Sequence, residues 1–281
     1  MLDGKRIAKT LKEEIRSEAE AWKAKGETPN LAVVMVGDDP ASLIYAKAKR
    51  KVAGELGMGF AFFPLAAATS EADVIKVIEE LNAAENTHGI MLELPLPAPI
   101  KKERVMAAVS PLKDVDGMHP VNRGYIMSGE EGLFPATPQS CIEIMLRSGV
   151  EIAGKHAVIV GRGETVGKPL VFLMLRQQAT VTVCHSKTPD LGLFTRQADI
   201  LIAAAGKVNL ITKNMVKPGA VVIDAGVNET PEGICGDVDF AGVREIADWI
   251  SPVPGGVGSL TTAIIMRNVL KGMAWQRRMS R

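Results

Sequence analysis

The sequence predicts an α/β protein of two domains, each built on a mostly parallel sheet. Three observations carry that expectation. Segments with apolar residues at helical spacing alternate with short apolar runs of strand length through both halves of the chain. A length of 281 residues suits two domains or one large α/β domain. The 27 glycines accompany only seven Phe, three Trp and two Tyr, which suits helices packed on sheets through Val, Ile, Leu and Ala better than a surface for stacking bases.

The first segment places Ile7, Leu11, Ile15, Ala19 and Trp22 on one helical stripe, ended by Gly26 and Pro29. Leu31 to Val36 then reads as a buried strand. The turn Gly37-Asp38-Asp39-Pro40 offers a capping carboxylate and a first-turn proline to a second helix running to about Leu56. A strand (Phe60 to Pro64), a helix (through Val74, Ile75, Ile78 and Leu81) and a strand (Gly89 to Leu92) follow. From Asp114 to Pro138, Gly, Pro, Asn and Asp cluster without periodicity, which predicts loop and a domain boundary. Beyond it come strands at Ala157 to Val160, Thr180 to Cys184, Ile200 to Ala203 and Ala220 to Asp224, with a helix over Val166 to Arg176. Leu260 to Trp275 reads as a final helix. No fixed-period repeat or low-complexity tract is present.

Charge and cysteine usage narrow the partners. With 33 basic and 32 acidic side chains the formal charge is +1, against a nucleic-acid coat or a membrane-surface helix. No apolar run reaches the roughly 18 residues of a membrane span. Cys141, Cys184 and Cys235 are odd in number, far apart and without a histidine at metal-ligand spacing, so a reduced, cytoplasmic chain with no metal is expected. Met1 to Arg6 passes straight into an amphipathic pattern with no apolar leader core, and secretion is not expected.

The strand His156 to Val160 is followed by Gly161-Arg162-Gly163-Glu164-Thr165-Val166-Gly167, then a helix. Glycines between strand and helix let a pyrophosphate approach the positive end of the helix, although such turns also need glycine for purely steric reasons. After the next strand an NAD-preferring site would carry an acidic residue for the ribose hydroxyl. Here stands Cys184-His185-Ser186-Lys187. With Arg162 nearby, the hydroxyl and the cations point to a 2′-phosphate, hence NADP. Taken singly, Lys187 is equally a solvated charge and His185 a satisfied loop residue.

On the helix after Pro40, Ser42, Tyr45 and Lys49 share one face, while Lys47 and Lys51 point elsewhere. A tyrosine and a lysine one turn apart can stack on a flat ring and offer a movable proton. The same spacing is met by an ordinary exposed lysine-rich helix. Two stretches argue for a site: Glu93-Leu94-Pro95-Leu96-Pro97, an apolar lip stiffened by prolines, and the loop Lys113-Asp114-Val115-Asp116-Gly117, whose carboxylates either bind a ligand or cap turns. Pro252-Val253-Pro254-Gly255-Gly256-Val257-Gly258 suits a backbone lying close to a ligand.

Together these motifs, in order and over nearly the whole chain, resemble the bifunctional methylenetetrahydrofolate dehydrogenase/cyclohydrolase (FolD) family. The resemblance implies oxidation of 5,10-methylenetetrahydrofolate by NADP to the methenyl form, then hydrolysis to 10-formyltetrahydrofolate. It implies a folate domain over 1–118 joined by a returning C-terminal helix, 260–281, a Rossmann-like NADP domain over 119–259, a cleft between them, and a homodimer. Lys49 matches the family's essential lysine, Tyr45 would stack on the folate rings, and Asp116 would bind the pterin nitrogens. Leu94, Pro95, Pro254, Gly255 and Gly256 would line the folate. Gly161, Arg162, Gly163, His185, Ser186 and Val227 would lie along NADP.

Three positions depart from the family pattern. Glu93 stands where the family usually has a Gln that bonds the lysine, and an ionised carboxylate there opposes use of Lys49 as a base. The bifunctional enzyme stays the expectation unless Glu93 acts this way; the alternatives are a dehydrogenase with weak or lost hydrolysis because of Glu93 and a non-catalytic cofactor-binding relative. Gly163 replaces a usual Ser. Ser259 replaces a usual Pro and is expected to loosen or cap the last helix.

Overall fold

Apolar residues one turn apart put Ile7, Leu11, Ile15 and Ala19 on the buried stripe of α1 (Gly4–Lys23). The near-continuous apolar run of β1 (Asn30–Val36) makes it the middle strand of a parallel sheet. Asp39 starts α2 (Pro40–Glu55): its carboxylate accepts from the Ser42 N–H at 2.8 Å, and Pro40 occupies the first turn. Then come β2 (Gly59–Leu65), α3 (Glu71–Ala83) capped by Ser70, β3 (Gly89–Leu92), α4 (Lys102–Ala108) and α5 (Pro120–Ser128). The strand order is β2-β1-β3. Val34, Ile90, Val74, Ile78 and Val105 form the core on one face of this sheet.

The chain is described by a computed structural model over residues 1–231 and 233–279. It divides into two compact units. The three-stranded unit comprises Thr10–Tyr125, Glu131–Phe134 and the residues from 262 on; the other comprises Met1–Lys9, Ile126–Glu130 and Pro135–Thr261.

In the second unit α6 (Ala136–Arg147) precedes β4 (His156–Val160), α7 (Gly167–Arg176), β5 (Thr180–Cys184), α8 (Leu191–Thr195) and β6 (Ile200–Ala203). A single 3-10 turn at Lys213–Met215 leads to β7 (Val221–Asp224). The hairpin β8 (Asn228–Thr230) and β9 (Gly233–Cys235), α9 (Phe240–Arg244) and β10 (Trp249–Ile250) follow, before α10 (Gly258–Met279). The sheet order β10-β7-β6-β4-β5 is parallel throughout, with β4 first in the chain and later strands added on both sides. That reversal makes a topological switch point between β4 and β6, where open α/β sheets bind ligands.

The stretch 114–138 is not all loop. It holds α5, and α6 starts at Ala136, two residues before Pro138. The inward face of α5 consists of Asn122 and Ile126 alone, one of them polar, which is too little for an apolar period to register. Pro138 is tolerated because the first-turn N–H groups of a helix have no partner in it. Ser259 neither loosens nor caps α10. It lies within the first turn, its N–H bonded to the Gly256 carbonyl at 3.0 Å.

Candidate functional site

In the three-stranded unit, the strand ends after β1 and β3 adjoin at that sheet's own switch point. Glu93 follows β3 directly, its N–H bonded to the Val34 carbonyl at 2.9 Å, so its position is fixed by the sheet. From α2, Lys49 reaches it: Nζ donates to Glu93 Oε1 at 2.7 Å, both side chains being only 7% exposed. The Tyr45 ring stands one turn earlier, its centroid 5.8 Å from Lys49 Nζ, with half its surface open to solvent. Ser42 on the same face donates to the Leu94 carbonyl at 3.2 Å and to Asp39, which ties the start of α2 to the proline lip. The lysine-rich helix is therefore ordinary only on its outer face, where Lys47 and Lys51 are exposed.

The acidic loop separates into two roles. Asp114 is buried and accepts from the N–H groups of Met118 and His119 and from Asn122 Nδ2, so it is the turn-capping member; burial pushes its carboxyl above the ordinary range. Lys113 is also structural. Its buried Nζ donates to the carbonyls of Leu81, Asn82 and Ala84 at the end of α3, and burial lowers its pKa. Asp116 is partly exposed and is the loop's candidate ligand-binding carboxylate. Asp114 pairs with Ile90, so the loop extends β3's side of the sheet and Asp116 emerges at the same edge as Glu93. Two side chains of α10 hold this loop: Asn268 bonds the Val115 carbonyl and Gln276 the Leu112 carbonyl.

In the five-stranded unit, Gly161 follows β4 at φ +128°, and a Cβ there would strike the Ala204 carbonyl after β6. A Cβ on Gly167 would strike the Gly161 carbonyl. These two glycines are required by the chain's own backbone. Gly163 differs: the space around it is open, and it is exposed together with Arg162, Glu164 and Thr165. No side chain caps α7; the Lys168 N–H bonds the Gly163 carbonyl at 3.0 Å and Pro169 has no N–H, so the helix start offers an anion the Gly167 N–H and the positive end of its dipole. Beside this turn the Gly161 N–H bonds the Cys184 carbonyl at 2.9 Å.

The turn after β5 is closed by His185, whose Nδ1 accepts from the Lys187 N–H at 3.1 Å, and by Thr188 Oγ1, which accepts from the His185 N–H at 2.9 Å. Ser186 and Lys187 are left in solvent, and the turn from His185 to Thr188 holds no acidic residue. An uncapped helix start flanked by exposed cations fits the phosphates of a dinucleotide. Val227, after β7, is exposed at the same edge of the sheet.

Pro254, Gly255 and Gly256 lie in this unit too. A Cβ on Gly4 would strike the Gly256 carbonyl, and one on Gly256 would meet the Pro252 carbonyl at 2.5 Å, so packing against this loop requires glycine at 4 and the loop's own backbone requires it at 256. Asp224 and Asp237, two buried carboxylates at the C-terminal edge of the sheet, are not among the residues the motifs single out. Their signal was the pairing of Gly226 and Gly236 with those acids, since a Cβ at either glycine would strike a carboxylate. Among the described residues no group of three or more His, Cys, Asp or Glu is placed to hold a metal, and no helix is long and apolar enough to cross a membrane.

Residues 2–116 match the tetrahydrofolate dehydrogenase/cyclohydrolase catalytic domain, and residues 135–277 match its NAD(P)-binding domain. The bifunctional protein FolD 2 of Desulfitobacterium hafniense is 69% identical, over 99% of this chain and 98% of that protein. The bifunctional FolD structure from Campylobacter jejuni is 42% identical with a TM-score of 0.96, covering 98% of both chains. The Trypanosoma brucei dehydrogenase-cyclohydrolase, solved with NADP cofactor and an inhibitor, is 34% identical with a TM-score of 0.92, covering 98% of this chain and 97% of its own. The chain belongs to the tetrahydrofolate dehydrogenase/cyclohydrolase family.

Proposed function

We propose that this chain oxidises 5,10-methylenetetrahydrofolate to 5,10-methenyltetrahydrofolate with NADP and hydrolyses the product to 10-formyltetrahydrofolate. The observation that carries the reading is the buried Lys49–Glu93 pair beneath the Tyr45 ring at a sheet switch point. When bound, NADP supplies the hydride acceptor. Gly163, Arg162 and the start of α7 hold its phosphates, and Ser186 and Lys187 take the 2′-phosphate. Tyr45 stacks on the folate rings while Asp116 accepts from the pterin N–H groups and fixes the one-carbon bridge.

Loss of hydride leaves a delocalised cation on that bridge. Lys49 tolerates it because the Glu93 carboxylate offsets the ammonium charge. For hydrolysis, water adds to the cationic carbon, one C–N bond breaks, and a proton leaves. Lys49 Nζ is the group placed to handle that proton. The 2.7 Å ion pair opposes it, because an ammonium held by a carboxylate has no lone pair to accept a proton. Hydrolysis is accordingly the slower activity. We further propose a cytoplasmic homodimer, with the folate domain over 1–118 and 260–281 and the NADP domain over 119–259.

A coupled assay with NADP and NAD side by side tests this. Methylenetetrahydrofolate is expected to reduce NADP in preference to NAD, with the methenyl product accumulating before it is hydrolysed. Absence of NADPH formation overturns the reading, and equal rates with NAD overturn the cofactor assignment.

A further inference from the structure

Two buried carboxylates at the C-terminal edge of the five-stranded sheet have no part in the chemistry above. Asp237 accepts from three successive backbone N–H groups, those of Ala205 at 2.6 Å, Gly206 at 2.9 Å and Lys207 at 2.8 Å. Gly206 has φ +64°, which turns these donors toward one point and makes an anion-binding concavity filled by the chain's own anion. The same carboxylate accepts from Asn228 Nδ2 at 2.9 Å. Asp224, which ends β7, accepts from the N–H groups of Gly226, Asp237 and Val238. The turns after β6 and β7 are thus stitched together through Asp237, and Asp237 is itself held by Asp224.

Val227 stands between these ties. Gly226 is bound to Asp224 and Asn228 to Asp237, while the Val227 side chain is 56% exposed. The ties on either side of it fix where that side chain stands at the sheet edge. Its place is beside the switch point, because the turn held by Asp237 continues from Ala204, the residue against which Gly161 packs.

We propose that Asp237 is a positioning residue for the dinucleotide, holding the 205–207 turn and Val227 as one shelf for the nicotinamide-ribose half. The inference rests on the NADP reading of this unit. The Gly161 turn and the start of α7 receive the phosphates. The nest at 205–207 is already occupied and takes none, so the shelf meets the phosphate-free end of the ligand by shape and apolar contact.

The test compares the parent with Asp237→Asn and with Asn228→Ala, which removes only the outer tie. NADP affinity is measured by calorimetry, and amide exchange is followed in the ligand-free protein. Asp237→Asn is expected to raise the NADP Kd at least tenfold and to speed exchange at 205–207 while the β4 and β6 amides keep their protection. Asn228→Ala should raise the Kd by about threefold, and in both variants KM for NADP should rise more than kcat falls. An Asp237→Asn chain that binds NADP within twofold of the parent overturns the proposal. So does loss of protection across the whole sheet, which marks a purely structural role. If Asp237→Asn does not fold, an unchanged Kd in Asn228→Ala overturns it instead. A parent that binds no NADP overturns the cofactor reading itself.

Discussion

The Lys49–Glu93 contact is the residue-scale feature with the largest consequence. Opposite charges buried together are neutral as a pair, but removing one partner leaves the other uncompensated, at a cost of about 3–5 kcal/mol. Glu93→Ala should therefore destabilise the three-stranded unit by that order in urea unfolding. Glu93→Gln keeps an acceptor for Nζ and removes only the charge, so its effect should fall on chemistry. Hydrolysis of methenyltetrahydrofolate is expected to rise roughly tenfold, a modest share of what a placed acid or base contributes, while the oxidation rate changes far less. Stopped-flow absorbance of the methenyl species reads both steps. An unchanged hydrolysis rate in Glu93→Gln would show that the carboxylate does not restrain Lys49.

At the scale of elements, the β4–α7 turn separates glycines needed by the backbone from one that is not. Gly161→Ala would drive a methyl into the Ala204 carbonyl at a φ that side chains avoid, and should cost about 3 kcal/mol or more in unfolding experiments. Gly163→Ser meets open space and should stay within about 0.5 kcal/mol of the parent. Comparable losses in the two variants would refute this division. The sequence showed the turn, because glycines between an apolar run and a helix are a local signal. It did not show which glycine mattered, because the colliding carbonyl comes from a strand some forty residues away. The same limit applies elsewhere. β1, β3, β5 and β6 were legible from their apolar runs, and the shared face of Ser42, Tyr45 and Lys49 from helical spacing. By contrast α5, with a single buried apolar residue, gave no period, and the division of labour between Asp114 and Asp116 depended on which of them met the N–H groups of Met118 and His119. Asp237 was invisible for the same reason, since its partners lie about thirty residues earlier in the chain.

For the whole molecule, the acid response depends on a few buried titratable groups. His88 in the three-stranded unit accepts from the Asn30 N–H through Nδ1 at 3.1 Å, and its buried Nε2 has no partner among the described residues. Burial, with the nearby charge of Arg277, pushes its pKa from 6.5 down to about 4. The unfolded chain therefore takes up the proton first, and stability is lost as pH falls from 6.5 through about 4. At about 1.4 kcal/mol per pH unit between the two values, the loss reaches about 3 kcal/mol. Asp224 has the opposite sign. Burial raises it from 3.8 to about 6, so its contribution is present below 3.8 and is lost as pH rises through about 6. Asp114 is raised in the same direction. Acidification from pH 7 to 4.5 thus sets the loss at His88 against gains at the two carboxyls, and the parent's net profile should be shallow. His88→Asn keeps an acceptor for the Asn30 N–H and removes the titration. Its stability relative to the parent should improve steadily from pH 6.5 downward, approaching about 3 kcal/mol at pH 4, in urea unfolding and in the exchange of the β1 and β3 amides. A difference between the two chains that stays constant across that range would mean that His88 is not held neutral by the fold.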